Sequence, residues 1–484
     1  MKRKVGKQMM GRDLLDKANQ YIAENKDRTE KRYRPRFHAV APTGWINDPN
    51  GFHYDGKRYH LFCQHYPYKA EWNDMHWGHW QSADLATWED LPVAMAPDQP
   101  YDEFGCFSGT ALPDGKGGAQ IMYTGVCEQG KLQQQCLAYF DGTDIVKAEK
   151  NPVIPFELLP EGYAPQDFRD PKLMRTADGY RAIMAARHED GGRLVCFSSR
   201  NLENWKYEGV FCEPEGIMPE CPDVFRLDGK TVVMYSKIGT GEDPEQNNRP
   251  VLCSVGDMNC EETSFTGGEW MPVDHGREFY AAQTCEGENG ARIVTGWLAS
   301  WEAQYPTALS EHGWSGMMTL PRVMRLKDGE VMQEAAPGLR DLRGDSKKLH
   351  AVLDSETVRM KDACARHAEI RLQAEVSDAK SVTLNVMEDG DERVCLRWQD
   401  DVLTLDRSTI ANNRLGRFVP VVRMPLKAVD GKIGMTVYVD NCAVEVFANG
   451  KVLSALTFPE SEMYGVSVSA EGKAEVELEC WKMG

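Results

Sequence analysis

Five turn dipeptides recur along the first two-thirds of the chain at similar intervals. They are Asp55-Gly56, Asp114-Gly115, Asp178-Gly179, Asp228-Gly229 and Asn289-Gly290, spaced 59, 64, 50 and 61 residues apart. Asp-Gly or Asn-Gly between two apolar runs is the strongest short-range hairpin signal, because both central residues of the tight turn need positive φ. Each pair is followed by a strand-like run: RYHLFCQ, AQIMYTG, YRAIMAA, TVVMYS and ARIVTGW. A second echo, SADLATW at 82–88 and SRNLENW at 199–205, lies 117 residues apart, about two periods of the first. Repeats of this length, each holding several short strands, predict a five-bladed β-propeller whose blades surround a central channel, here over residues 33–340. Such pairs are also ordinary surface turns, so the propeller reading depends on what else recurs with them.

The flanking regions have a different texture. Leu14, Leu15, Ala18, Tyr21 and Ile22 are spaced for one face of a helix over 12–25, giving a short helical extension within 1–32. From 350 to 484, segments such as HAEIRLQAEV, SVTLNVMED and AVEVFANG alternate as antiparallel strands do, predicting a β-sandwich. The charged stretch GLRDLRGDSKKLH, 338–350, is expected to be the linker. The fold class is therefore all-β: a helix, a propeller and a sandwich.

The chain of 484 residues carries 74 acidic and 56 basic residues, a net charge of −18, which argues against a nucleic acid or an anionic membrane as partner. An anionic substrate would need a local basic pocket. The N-terminal MKRKVGKQMMGRDLLDKANQ has charge but no apolar run behind it, so it reads as neither secretory signal nor anchor, and a cytoplasmic location is expected. The 14 cysteines are scattered and form no CxxC pair, as reduced, mostly buried thiols would be. His76 and His79 sit three apart in a strand and face opposite sides, and Cys221 has no paired histidine, so neither a metal site nor a thiol nucleophile is expected, and no cofactor.

Six to eight residues before each turn lies the chemically loaded position of each repeat: Asp48 in WINDPNG, Phe107 and Ser108 in CFSG, Asp170 in FRDPK, Glu220 in PECPD and Ala281 in FYAAQT. Equivalent places in successive blades converge on one channel mouth. Prolines 49, 171 and 222 flank the carboxylates and are expected to end strand pairing there. Carboxylates beside Trp45, Trp72, Trp77, Phe107 and Trp297 make a sugar site, with aromatic faces covering ring faces and polar groups binding hydroxyls. Asp223 is read as structural.

WINDPNG, FRDPK and ECPD, in this order, resemble the three carboxylate motifs of glycoside hydrolase family 32, the invertases, fructanases and sucrose-6-phosphate hydrolases. AEWNDMHWGHWQSADLATWEDLPVAMAPD, GCFSGTA, DHGREFYAAQT and GWLASW with TLPR are also similar to that family, and VYVDNCAVEVF at 437–447 resembles its C-terminal sandwich. The resemblance implies Asp48 as nucleophile, Glu220 as general acid and then base, and Asp170 as transition-state stabiliser. It further implies that Asn47, Gln64, Trp72, Phe107, Ser108 and Arg169 shape the fructose subsite; Trp297, a substrate-binding candidate by residue type, is like Trp45 either pocket wall or core. In such retaining hydrolysis one carboxyl must be ionised and the other protonated, about 5 Å apart. Glu220 is expected to be raised in pKa by its acidic neighbours and Asp48 to be held ionised by nearby donors. Cys63 and Pro219 depart from the family pattern and bear on the leaving-group side.

The implied substrate is a small sugar, sucrose or sucrose 6-phosphate. Alternatives are hydrolysis of short fructo-oligosaccharides, fructosyl transfer, an inverting five-bladed arabinan or xylan glycosidase, and a sugar-binding propeller without catalysis. The sandwich could brace the propeller or pair two copies as a homodimer.

Overall fold

The structure is a computed structural model that describes residues 2–239, 247–309, 312–361, 363, 365–410, 419–462 and 464–484, with side chains described from Asp13 onward. Four-stranded antiparallel blades begin with the innermost strands Gly44–Tyr54, Gly105–Pro113, Tyr163–Thr176, Met218–Leu227 and Tyr280–Glu286. Each innermost strand packs beside the next, and Tyr280–Glu286 returns to lie against Gly44–Tyr54, so the five blades close into a ring. The five turn dipeptides each connect the first and second strands of a blade.

The second strands explain why the apolar runs in the sequence lack alternation. Blades stack face to face, so both faces of a middle strand are covered: every residue of Tyr59–His65 is buried, as are Ala182–Ala186. The SADLATW and SRNLENW echo is a repeated turn between the third and fourth strands of blades one and three. In each, a serine hydroxyl accepts the backbone N–H three residues on, Leu85 to Ser82 at 2.8 Å and Leu202 to Ser199 at 3.0 Å, with the leucine at φ 64° or 67°. The ring is fastened between blades five and one. An excursion after Trp297 returns through Trp314–Ser315, which pairs in parallel with Gly44 and Trp45.

The N-terminal helix extends over Lys2–Asn25 and rests on the outer strand of blade one, where Asn19 accepts the Val93 N–H at 2.9 Å. After blade five the chain makes a 3-10 turn, Pro337–Leu342, and enters a sandwich strand at Arg343, so 343–350 is strand, not linker. Its charge reflects position. The strand Arg343–Asp354 lies outside the long C-terminal strand with most of its side chains in solvent. The two longest strands, His367–Asp389 and Gly465–Met483, pair along most of their length and shift register near 375–381, which lets each serve both layers of the sandwich.

Propeller and sandwich share a buried ionic seam. Arg322 bridges Asp274 at 2.8 Å and Glu445 at 2.7 Å, while His38 sits between Asp440 at 2.8 Å and Glu445 at 3.0 Å. Phe37, Leu320, Leu339, Tyr438, Phe447 and Val452 enclose it in apolar surface.

Candidate active site

All five innermost strands carry the same defect at the same place. Between Ile46 and Pro49, Cys106 and Gly109, Arg169 and Lys172, Glu220 and Asp223, and Tyr280 and Gln283, three steps on the inner strand oppose two on its neighbour. Each is a β-bulge, which leaves a residue out of the ladder and re-aims side chains. Asp170, Cys221 and Ala281 occupy the bulges at φ 61°, 48° and 52°. The prolines therefore do not end pairing, as the sequence led us to expect. The ladder resumes within a residue or two, and a missing proline N–H costs little where the partner strand offers no acceptor. CFSG follows the same logic: a Cβ on Gly109 would stand 2.1 Å from the carbonyl oxygen of Met122, so only glycine closes that ladder.

The bulges bring Asp48, Asp170 and Glu220 into one hydrogen-bonded cluster. The Cys221 N–H donates to Asp170 Oδ2 at 3.0 Å, and its thiol lies 3.5 Å from Asp48 Oδ2 and 3.7 Å from Asp170 Oδ2. Arg169 donates to Glu220 Oε1 at 2.8 Å and passes Asp170 Oδ2 at 3.8 Å. Asp48 receives Asn47 Nδ2 and Ser108 Oγ, each at 2.9 Å. Asn47 is itself oriented by Trp45 Nε1, whose N–H it accepts at 2.9 Å. The hydroxyl of Tyr280 donates to Glu220 Oε2.

Burial pushes the Asp48 carboxyl up, with the charge of Glu220 adding to it and Asn47 and Ser108 opposing. The donors expected to hold Asp48 ionised are present, but desolvation outweighs them. Asp170 is pushed up to about 7, first by burial and then by Glu220 and Asp48, against the pull of Arg169. Burial and acidic neighbours also raise the Cys221 thiol, so it stays protonated and acts as a donor. The hydroxyl of Tyr280 is raised for the same reasons and keeps its proton.

The remaining sequence-predicted residues separate into wall and support. Trp72, 40% exposed, meets Phe107 edge-on at 5.9 Å, and Phe107 adjoins Ser108, so both stand at the rim. Gln64 is buried, its amide donating to Cys106 O at 2.9 Å, which ties blade one to blade two beneath the rim. Trp297 has no exposed surface; it backs Trp45 at 5.7 Å and does not face the pocket, because blade-five chain folds over it. Trp77 is likewise fully buried, its indole N–H shared between Cys106 O and Phe107 O, so it supports the CFSG strand from below. Cys63 is buried in the blade-one core with Ile46, Leu61 and Trp80. Pro219 is buried beside Gly192, where a Cβ would come within 2.5 Å of its ring. Asp223 pairs with Lys172 at 2.6 Å and accepts the Thr284 N–H at 2.6 Å, a structural role as expected. His76 and His79 bond separately, to Asp74 O and to His60, and no cluster suited to a metal ion occurs among the described residues.

Sequence reasoning passed over Tyr280 and Trp301. Tyr280 holds the blade-five place that Glu220 holds in blade four, one residue before the bulge, and is seen only once the bulge register is known. Trp301, 38% exposed, packs at a tilt against both Trp45 and Trp297 at 5.7 and 5.0 Å; it comes from the blade-five excursion, outside the repeat.

A closed five-bladed ring with three acidic side chains gathered at the bulges of its inner strands, under an aromatic rim, defines a carbohydrate-cleaving enzyme, a glycoside hydrolase. Comparison with known proteins agrees. Residues 38–335 match the N-terminal domain and residues 338–482 the C-terminal domain of glycosyl hydrolases family 32, and the chain belongs to that family. It is 30% identical to a sucrose-6-phosphate hydrolase of Escherichia coli, over 95% of this chain and 97% of that protein. It is also 30% identical to a levanase of Bacillus subtilis, over 94% of this chain and 71% of that one. Among solved structures, a β-fructofuranosidase of Bombyx mori superposes with a TM-score of 0.84 at 29% identity, each chain covered to 97%.

Proposed function

We propose that this enzyme hydrolyses the β-fructofuranosidic bond of sucrose and of sucrose 6-phosphate with retention at the fructosyl carbon. One observation carries the reading: Asp48, Asp170 and Glu220, from three different blades, are linked through Asp170, which shares Cys221 with Asp48 and Arg169 with Glu220. Asp48 attacks the fructosyl carbon and forms a covalent ester as Glu220 passes its proton to the departing oxygen; Glu220 then draws a proton from water, which releases fructose. Asp170 and Arg169 grip fructosyl hydroxyls as oxocarbenium character develops. Asn47 and Ser108 orient the nucleophile, while Gln64, Trp72 and Phe107 shape the wall of the subsite.

The similarity to sucrose-6-phosphate hydrolases of Escherichia coli and Bacillus subtilis, 95% and 93% of the chain, supports the substrate class, as does the likeness to a Bombyx mori enzyme bound to sucrose. We place the enzyme in the cytoplasm, where all its described cysteines, which are free, would remain reduced. Among the described residues no helix is long and apolar enough to cross a membrane.

The test is initial-rate kinetics on sucrose. Asp48→Ala and Glu220→Gln should each lower kcat by roughly 10³-fold or more while the thermal transition survives. Near-normal turnover in either folded variant would exclude these roles.

A further inference from the structure

A phosphate on O6 of the departing glucose hangs from C5, one ring oxygen away from the anomeric carbon, on the leaving-sugar side of the bond that breaks. Its cation must therefore lie beyond the general acid, outside the fructosyl pocket, and still be uncommitted. Cations around Glu220 are mostly spent. Arg169 is buried and bonded to Glu220, Asp167 and Gln133; Arg187 holds Asp167 at 2.6 Å; Lys172 holds Asp223 at 2.6 Å; Lys237 holds Glu215 at 2.9 Å.

Arg249 differs. Its guanidinium lies over the Tyr280 ring, 5.9 Å from the centroid, and approaches Glu220 Oε2 no closer than 3.9 Å, outside hydrogen-bond distance. It is partly exposed, on the side of Glu220 opposite Arg169, which takes the other carboxylate oxygen. The backbone N–H of Arg249 donates to Asn247 Oδ1 at 3.1 Å, which fixes where the side chain starts. Among the described residues no carboxylate forms a hydrogen bond with its guanidinium, and the planar fork of donors has the geometry to take two phosphate oxygens. In a protein of net charge −18, an anionic substrate needs such a local positive point.

We infer that Arg249 is the specificity residue that binds a phosphate monoester on the leaving sugar, held over Tyr280 beside the acid until that anion arrives. This rests on the β-fructofuranosidase reading above. It is tested by kcat/KM on sucrose and sucrose 6-phosphate for the wild type, Arg249→Ala and Arg249→Lys. The wild type should prefer the phosphorylated sugar. In Arg249→Ala the ratio of the two efficiencies should fall about 10- to 100-fold, mostly through KM for sucrose 6-phosphate, with partial recovery in Arg249→Lys. Glucose 6-phosphate should also inhibit wild-type sucrose hydrolysis more strongly than glucose does, a comparison that needs no variant to fold. Equal losses on both sugars would mean that Arg249 acts through Glu220 and would overturn the inference. A wild type indifferent to the phosphate would overturn it while leaving the sucrose reading intact. A wild type inactive on both sugars would instead sink the reading beneath it.

Discussion

Each charged residue in the cluster is held in tension with its neighbours. Asp170 is buried beside Asp48 and Glu220, and its carboxyl is raised to about 7. A carboxyl whose folded pKa lies above its unfolded value costs stability once pH exceeds the unfolded value, because the native state then holds the proton more tightly than the chain wishes to keep it. Asp170→Asn should therefore abolish most activity yet raise Tm at pH 7 by about 2–4 °C, measured by calorimetry. A fall in Tm would show that the tension is absent. Ser108 donates to Asp48 at 2.9 Å, beside Asn47 and the Cys221 thiol. Ser108→Ala removes a bond that favours the ionised form, so the Asp48 carboxyl should rise further. The acidic limb of the kcat/KM profile should move to higher pH, with activity lowered roughly 10-fold or more. An unmoved limb would separate Ser108 from Asp48. At this scale the sequence was informative where motif and chemistry coincided, at Asp48, Asp170 and Glu220. It was silent on Tyr280 and Arg249, whose neighbours Ala281 and Asn247 carry no carboxylate signature, and it overvalued Trp297, because aromatic type does not tell wall from backing.

The inner strand with its bulge is the element on which the site depends. Hairpin turns were legible because Asp-Gly and Asn-Gly leave few alternatives, and the bulges were half-legible through Pro49, Pro171 and Pro222. Blade five shows why the rest was not: Ala281 adopts φ 52° with no glycine or proline to announce it, because closure of the ring dictates its conformation. Ala→Gly inside a strand ordinarily costs about 0.5–1 kcal/mol. At Ala281, relief of the left-handed conformation should offset that, so Ala281→Gly should be close to neutral in urea unfolding, whereas Ala182→Gly, in an ordinary buried strand, should carry the full loss. Equal losses at both positions would mean that the bulge is unstrained. The 343–350 strand teaches a related lesson: charge along a segment marks exposure, and an outer strand is as exposed as a linker.

Across the whole molecule, the seam between propeller and sandwich is ionic and fully buried, which no local pattern in the sequence disclosed because Arg322 and His38 reach Glu445 across 123 and 407 residues. The two carboxylates on either side of His38, Asp440 and Glu445, raise the imidazole to about 9 against the opposing effect of burial. A histidine with a raised folded pKa contributes stability that is fully present below its unfolded value near 6.5 and is lost as pH rises to 9. Tm should fall between pH 6.5 and 9, and His38→Gln should flatten that slope. Removing Arg322, which holds Asp274 and Glu445, would leave two buried carboxylates short of their cation. Arg322→Met should destabilise by about 3–5 kcal/mol in chemical unfolding, and a loss below 1 kcal/mol would mean that the seam is already solvated.

All of this turns on Asp48 being the atom donor that captures the fructosyl group. Acid-quenching the wild-type enzyme during turnover of saturating sucrose, followed by peptide mass mapping, tests that claim most directly. The account predicts one added anhydrofructose mass on the peptide that carries Asp48, abolished in Asp48→Ala; the same mass on a peptide carrying Asp170 or Glu220 would contradict it.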